Sequence, residues 1–164
     1  MATKAIEAAD YRRIIGQFAT GVAVVTTAND GLLHGMTANA ITSVSLDPPL
    51  LLVCIDKAAH SHDQFTQSGR FTVNILAEDQ QEVSKIFAAT NEPEQGRLQG
   101  VAFHLGANGV PLIEGCLAYI ECAVADQFEG GDHTIFTGSV EDTTVARGAA
   151  PLLFYQGKYR RLAD

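Results

Sequence analysis

The chain is poor in several residue types, and each shortage excludes a class of protein. It has no Trp, and only 18% of its 164 residues are charged. Lys and Arg number 11 against 19 Asp and Glu, so the formal net charge is −8. This balance disfavours a nucleic-acid groove or an anionic membrane surface as a partner. With 46% hydrophobic residues the chain can bury a substantial core, and its length predicts a single domain over residues 1–164.

Cysteine and long apolar segments are also scarce. The three cysteines, Cys54, Cys116 and Cys122, lie in apolar surroundings without zinc-site spacing, so we expect reduced, buried thiols and no metal. The longest strongly apolar run, Leu50 to Ile55, is far too short to span a bilayer, and the opening residues lack a hydrophobic signal core. We therefore expect a cytoplasmic protein.

The acidic excess is concentrated in one part of the chain. Residues 98–146 contain seven Asp or Glu and no Lys or Arg, whereas the remaining positions hold 12 acids against 11 bases. We interpret this stretch as a solvated face. The segment from Gly35 to Leu76 is nearly neutral, since three Asp oppose Lys57 and Arg70.

An apolar stripe predicts an N-terminal helix. Tyr11, Ile14, Ile15 and Phe18 follow the i, i+3, i+4, i+7 spacing of one helix face, and Gly21 can end the helix. We expect this stripe to pack on the core.

The rest of the pattern is mainly β. Asp30-Gly31 predicts a hairpin between a strand at 22–28 and another from about Leu32. The continuous apolar run Leu50 to Ile55 predicts a central strand buried on both faces. Other strands are predicted at 70–76, 102–105, 117–126, 134–141 and 152–155. Several short strands with few helices indicate a closed or partly open antiparallel barrel.

Two further helices are predicted between the strands. Ser61 and Gln64 have the spacing of a capping box, which would begin a short helix at Ser61. Residues 78–89 are predicted to form a helix with Val83, Ile86 and Phe87 on one side, followed by a polar loop at 91–96.

Standard catalytic motifs are missing. The sequence has neither GxGxxG nor GxxxxGK[ST] nor GxSxG, so dinucleotide-fold, P-loop and α/β-hydrolase chemistry have no support. His60, His62 and Asp63 are possible metal ligands, but His60 and His62 do not share a helix face. Capping and solvent contact are the simpler interpretation.

Two segments favour an elongated ligand with a flat head and an anionic tail. Gly35 to Ala40 is a run of small residues around Thr37 and Asn39, which would let a flat ligand approach the backbone; a tightly packed strand crossing or bulge is the alternative. The helix start at Ser61, with Lys57 just before it, is a candidate anion site.

The order of several motifs resembles the short-chain flavin reductase family, the reductase components of two-component flavin-dependent monooxygenases. The resemblance covers nearly the whole chain. The matching segments are Phe18 to Thr26, Gly35 to Ala40, Ser43 to Pro49, Phe71 to Leu76, Pro111 to Gly115, Gly131 to His133 and Gly157 to Leu162. The resemblance implies a mainly β, Greek-key antiparallel FMN-binding split barrel that forms a homodimer with flavin sites near the subunit interface.

The resemblance also implies roles for individual residues. The flavin ring would face Thr37, Ala38, Asn39 and Ala40, and the next strand would contribute Val53, Cys54 and Ile55. The flavin phosphate would be held by Lys57 and Ser61, and Asn74 would be a further cofactor-binding residue. NADH would be bound by Gly131, Asp132 and His133. His133 would be the catalytic residue in a positioning or amide-binding role.

The activity implied is hydride transfer from NADH, or NADPH, to FAD or FMN, with the reduced flavin diffusing to a separate monooxygenase. The acidic 98–146 stretch offers no clamp for a 2′-phosphate, which favours NADH. Two alternatives stay open: a flavoprotein whose bound flavin acts on another substrate, and a flavin-binding module without turnover.

Overall fold

The computed structural model describes residues 5–89, 98 and 100–163 of the chain. The helices are α1 at Ala8–Ile15, α2 at His62–Ser68 and α3 at Gln81–Ala88. The first six strands are β1 at Thr20–Gly21, β2 at Ala23–Asn29, β3 at Leu32–Ala38, β4 at Ile41–Leu46, β5 at Pro49–Asp56 and β6 at Arg70–Ile75. The later strands are β7 at Phe103–Leu105, β8 at Pro111–Ile113, β9 at Ala118–Gly130, β10 at His133–Val145, β11 at Leu153–Tyr155 and β12 at Lys158–Arg160.

Seven strands form one antiparallel sheet in the order β3-β2-β6-β9-β10-β5-β4. The backbone N–H of Cys54 on β5 donates to the carbonyl of Ala40, 3.0 Å away, where β3 gives way to β4. This bond ties the far edge of the sheet to β5 and curls the sheet towards closure, as the expected antiparallel barrel requires. Small sheets of β1-β11-β12 and β7-β8 flank the barrel.

The hairpin between β2 and β3 confirms the Asp30-Gly31 prediction. Asp30 and Gly31 have φ values of 49° and 79°. Positive φ at both central residues is the geometry of a two-residue turn whose twist matches that of its strands. The register therefore follows directly, with Asn29 opposite Leu32.

The buried apolar residues form two clusters. One cluster contains Val24, Leu76, Phe87, Ile113 and Leu152. The other lies under β5, β6 and β10 and contains Val53, Ile55, Phe65, Phe71 and Phe136. These clusters hold the strand ends that form the candidate site.

Strand β5 is not buried on both faces as the sequence predicted. Leu51, Val53 and Ile55 are buried, but Leu52 and Cys54, which alternate with them, are half-buried. A continuous apolar run does not reveal whether its second face meets the chain's own core or something outside the chain.

Helix α1 corrects two expectations. It ends at Ile15, with Gly16 at its C-terminal cap, so Gly21 is not its terminator. None of its residues is buried, and Ile14 is 61% exposed. The apolar stripe is present, but none of the residues that the structure describes covers it.

The predicted capping box does not form. Ser61 precedes α2 in a helical conformation, with φ −80° and ψ −10°, and its hydroxyl makes no capping bond. Gln64 Oε1 instead accepts a hydrogen bond of 2.9 Å from Asn29 Nδ2. A capping hydroxyl works from an extended backbone conformation, which tertiary packing denies to Ser61.

The remaining helix prediction holds with shorter bounds. Helix α3 begins at Gln81 and buries Phe87, whereas Ile86 is exposed. The polar loop predicted at 91–96 lies outside the described residues. In the part of the chain that the structure describes, no helix has the length and apolarity needed to cross a membrane.

Candidate functional site

A cavity of about 340 Å³ opens where β3 and β5 end, and we call it the strand-end cavity. Its lining consists of Met36, Thr37, Ala38, Asn39, Ala40, Cys54, Asp56, Ala58, Ala59, His60, Phe87, Ala88, Ala89 and His133. The sheet thus gathers residues from β3, β5, α3 and β10 that are far apart in sequence. Six of the site residues that the sequence predicted line this cavity: Thr37, Ala38, Asn39, Ala40, Cys54 and His133.

The small residues of β3 have two distinct functions. A Cβ on Gly35 would lie 2.8 Å from the ring of Phe87, so Gly35 allows α3 to pack closely against β3. Gly35 therefore fits the alternative interpretation of this segment, a tightly packed strand crossing. Ala38 and Ala40 instead line the cavity, where they leave room for a ligand.

Hydrogen bonds fix the polar side chains of this segment. Thr37 Oγ1 donates to the carbonyl of Ser84 on α3 at 2.6 Å, and Asn39 Nδ2 donates to Thr20 Oγ1 at 3.2 Å. Thr37 therefore joins β3 to α3, and its hydroxyl proton is already used. The segment presents a rigid wall to the cavity.

Cys54 is half-buried on this wall, which corrects the expectation that all three thiols are buried. Burial raises the pKa of the Cys54 thiol above its ordinary value. Burial raises the pKa of Cys116 and of Cys122 to about 12, so these thiols are neutral and unreactive.

His133 reaches the cavity from the start of β10, where it pairs with Asp56 of β5. Its Nδ1 lies 2.7 Å from Asp132 Oδ1. An ionised carboxylate only accepts hydrogen bonds, so Nδ1 carries the proton and Nε2 is the acceptor of the neutral ring. The hydrogen bond from His133 lowers the pKa of Asp132, which keeps the carboxylate ionised.

Lys57 lies beside the turn between β9 and β10. Its ammonium contacts the carboxylate of Glu129 and donates to the carbonyl of Gly131 at 2.9 Å. Its backbone N–H donates to the carbonyl of Asp132 at 3.0 Å. The hydrogen bond from Lys57 lowers the pKa of Glu129. Neither Lys57 nor Gly131 lines the cavity.

Ser61 is fully buried behind the Ala58–His60 part of the cavity lining. Within the described residues its Oγ has no hydrogen-bond partner. A buried hydroxyl without a partner is costly, and such groups in native proteins call for a specific explanation.

Three predicted site residues face the protein interior. Val53 and Ile55 point into the core because side chains alternate along β5. Asn74 is also fully buried: its Nδ2 donates to Val24 O and its Oδ1 accepts from Ile113 N at 2.8 Å. Its amide groups hold strands together and do not line the cavity.

A second, larger cavity of about 940 Å³ lies on the other side of the β3–β4 junction, and we call it the apolar groove. Its lining includes Ile15, Phe18, Ile41, Leu51, Leu52, Val73, Ile75, Ile120 and Phe154. Sequence reasoning did not identify the groove. The unbroken apolar run of β5 and the stripe on α1 were its only signals, and both were assigned to the core.

Comparison with known proteins places the chain among flavin reductases. The profile of the family described as "Flavin reductase like domain" matches residues 15–163. The NADH-dependent flavin reductase of a Rhodococcus species is 44% identical over 155 residues, covering 92% of this chain and 84% of the relative. The flavin-dependent monooxygenase reductase subunit HsaB of Mycobacterium tuberculosis is 40% identical over 156 residues, covering 94% and 82%.

A solved structure agrees with these sequence relatives. The NADH:FAD oxidoreductase SgcE6 of Streptomyces globisporus superposes with a TM-score of 0.91 at 39% identity, over 100% of this chain and 99% of that chain. The family profile covers most of the chain, and the strands of the chain are arranged as in this solved flavin reductase. The chain therefore belongs to the flavin reductase like family.

Proposed function

We propose that this chain is an NADH-dependent flavin reductase that reduces FAD or FMN and supplies the reduced flavin to a separate monooxygenase component. The observation that carries the proposal is the strand-end cavity, which joins the small-residue segment Thr37–Ala40 to His133. Relatives named as flavin reductases and as monooxygenase reductase subunits support the same activity. The whole chain, residues 1–164, would act as one reductase domain.

The cavity has a volume and lining that suit the flat ring system of a flavin. Its volume of about 340 Å³ falls at the lower end of ligand pockets, about 300–1,000 Å³. Ala38 and Ala40 let a flat ring approach the backbone closely. Ser61, whose hydroxyl has no partner among the described residues, is fully buried and outside the lining, so it would meet a phosphate oxygen only after a local rearrangement.

The protein contributes orientation to the reaction. A bound flavin would supply N5 as the acceptor of the hydride that leaves nicotinamide C4 of NADH. The Thr37–Ala40 wall holds one side of the cavity, and Cys54 adds a small apolar side chain. In the neutral ring, the Asp132 bond places the proton on Nδ1, and His133 Nε2 would then accept a hydrogen bond from the nicotinamide amide. No side chain has to act as a general acid in the hydride step.

We propose NADH as the hydride donor, because a 2′-phosphate is usually held by an Arg and residues 98–146 contain no Lys or Arg. Relatives named as NADH-dependent reductases support the same donor. We also propose a cytoplasmic location, because Cys116 and Cys122 are free thiols.

We further propose that the chain forms a homodimer through the apolar groove. The exposed stripe of α1 borders this groove, and Phe18 at its edge is 72% exposed. Apolar patches of this kind mark protein interaction sites in soluble proteins. Asn39, Ala40 and Cys54 line both cavities, so a second copy in the groove would lie next to the flavin site.

A single assay tests the activity. Purified protein is mixed with NADH and an excess of FAD or FMN, and the loss of NADH absorbance is followed. Catalytic NADH consumption that depends on added flavin is expected. NADH consumption with a bound flavin that never exchanges would instead indicate a dedicated flavoprotein, and the absence of consumption would indicate a flavin-binding module.

A further inference from the structure

Lys57 makes its contacts to the turn that carries His133. The last two residues of β9, Glu129 and Gly130, and the two residues before β10, Gly131 and Asp132, form the tip of this hairpin, which we call the histidine turn. The Lys57 ammonium contacts the Glu129 carboxylate and the Gly131 carbonyl. The Lys57 N–H donates to the Asp132 carbonyl at 3.0 Å. Lys57 thus engages three of the four residues of the turn.

The histidine turn needs such a restraint. It contains Gly130 and Gly131, and Gly131 adopts a φ of 74°. Glycine loses more conformational entropy on ordering than any other residue, so contacts from outside the hairpin help to offset the cost of fixing this turn. The carboxylates of Glu129 and Asp132 are 84% and 90% exposed and are not held by packing. A second contact restrains the chain next to this turn: His62 Nε2 lies 2.8 Å from the Oγ1 of Thr134, the residue after His133.

The same contacts occupy the cation of Lys57. Its charge is compensated by Glu129, whose pKa the Lys57 hydrogen bond lowers, so the ion pair persists at neutral pH. Exposed ion pairs contribute little alone. Here, however, two of the three bonds go to turn carbonyls, which fix the backbone rather than only a mobile side chain.

We propose that Lys57 is a positioning residue for NADH binding, which clamps the histidine turn so that His133 stays on the wall of the strand-end cavity. This replaces the expectation that Lys57 holds the flavin phosphate, and it rests on the proposed reductase function. The contacts of Lys57 would therefore affect the binding of NADH and not the binding of the flavin. In the proposed site, flavin binding depends on the Thr37–Ala40 wall.

The first test separates the two roles of Lys57 by kinetics. In Lys57→Met the KM for NADH rises about fivefold, whereas kcat and the flavin Kd, measured by flavin fluorescence, change less than about twofold. Glu129→Ala, which leaves Lys57 in place, raises the KM for NADH in the same direction, and the double variant is no worse than Lys57→Met alone. Lys85→Met, which breaks the comparable exposed pair with Glu82, changes neither constant.

A phosphate role for Lys57 gives the opposite pattern. Lys57→Met would then raise the flavin Kd by about tenfold or more, and Glu129→Ala would lower it by freeing the cation. Either result overturns the proposal.

The second test needs no activity. Hydrogen–deuterium exchange on protein without flavin or nucleotide should show faster exchange across the histidine turn in Lys57→Met and Glu129→Ala, with Lys85→Met like the parent. Unchanged exchange in Lys57→Met would refute the clamp. If the parent protein fails to consume NADH, the reductase function fails, and this exchange experiment still decides whether Lys57 holds the turn.

Discussion

The strand-end cavity and the apolar groove share three residues, Asn39, Ala40 and Cys54, yet their linings differ. The cavity combines alanines with His133 and Asp56, whereas the groove is lined by large apolar side chains such as Phe18 and Ile120. Small residues around a few polar groups suit a flat cofactor, and a broad apolar surface suits another protein. In our proposal, one strand junction therefore contacts a flavin on one side and a second copy of the chain on the other.

The largest expected effect is on the groove. Phe18→Glu places a charge at the edge of the proposed dimer interface, where burying it without a partner is costly. We expect the dimer to dissociate, with its dissociation constant raised about a thousandfold or more. Sedimentation velocity measures this directly.

Val145→Glu is the matched control, because Val145 is 86% exposed and lies outside the groove. It should sediment like the parent. A parent protein that is monomeric at micromolar concentration would disprove the dimer proposal, and the groove would then need another partner.

A substitution on the shared wall comes next. Ala40→Leu adds bulk to a residue that lines the cavity and the groove, so we expect the flavin Kd to rise about 30-fold by steric exclusion. Flavin fluorescence titration gives the value. Ala149→Leu, at an exposed position outside both linings, serves as the control. An unchanged Kd in Ala40→Leu would place the flavin elsewhere.

His133→Ala probes the nucleotide side of the cavity. Removing Nε2 should raise the KM for NADH about tenfold while the flavin Kd stays within about twofold, because His133 faces the nicotinamide in our proposal. Steady-state kinetics with NADH varied at saturating flavin provides the test. If the KM for NADH and the rate are unchanged, His133 has no nucleotide role.

The smallest effect concerns Cys54. Of the three thiols, Cys54 alone is half-exposed, so iodoacetamide should modify it selectively and saturating flavin should slow the modification about threefold. Its pKa is raised above 9.0 by burial, so the thiolate fraction and the modification rate should keep rising beyond pH 9. Peptide mass spectrometry measures modification of each cysteine. Protection of Cys116 or Cys122 in place of Cys54 would contradict this geometry.

Local signals predicted the parts of the fold that depend on neighbouring residues. Asp30-Gly31 specified its hairpin because positive φ at both turn residues is a property of the dipeptide itself. Runs of alternating and β-branched residues predicted β6 and β10, because strand propensity is also a local property of the residues themselves. The motifs around Ala40 and His133 indicated the family, and the structure brings those two segments to one cavity.

Sequence reasoning did not reveal contacts between residues that are distant in sequence. Gln64 bonds to Asn29 rather than to the start of its own helix, and Lys57 bonds to Glu129, 72 residues away. Asn74 matched a family segment, but its amide is used entirely between strands. Sequence spacing contains no information about such contacts.

The sequence by itself determined the antiparallel barrel, its hairpins and the flavin reductase family, since these follow from short-range propensities and from motif order. Tertiary structure alone decided which side chains reach the cavity, because the two-residue alternation of β5 sends Val53 and Ile55 inward and leaves Cys54 on the wall. It also decided that the stripe of α1 and one face of β5 are left uncovered. An apolar pattern records that a surface avoids water, and only the folded chain shows whether its own core is what covers it.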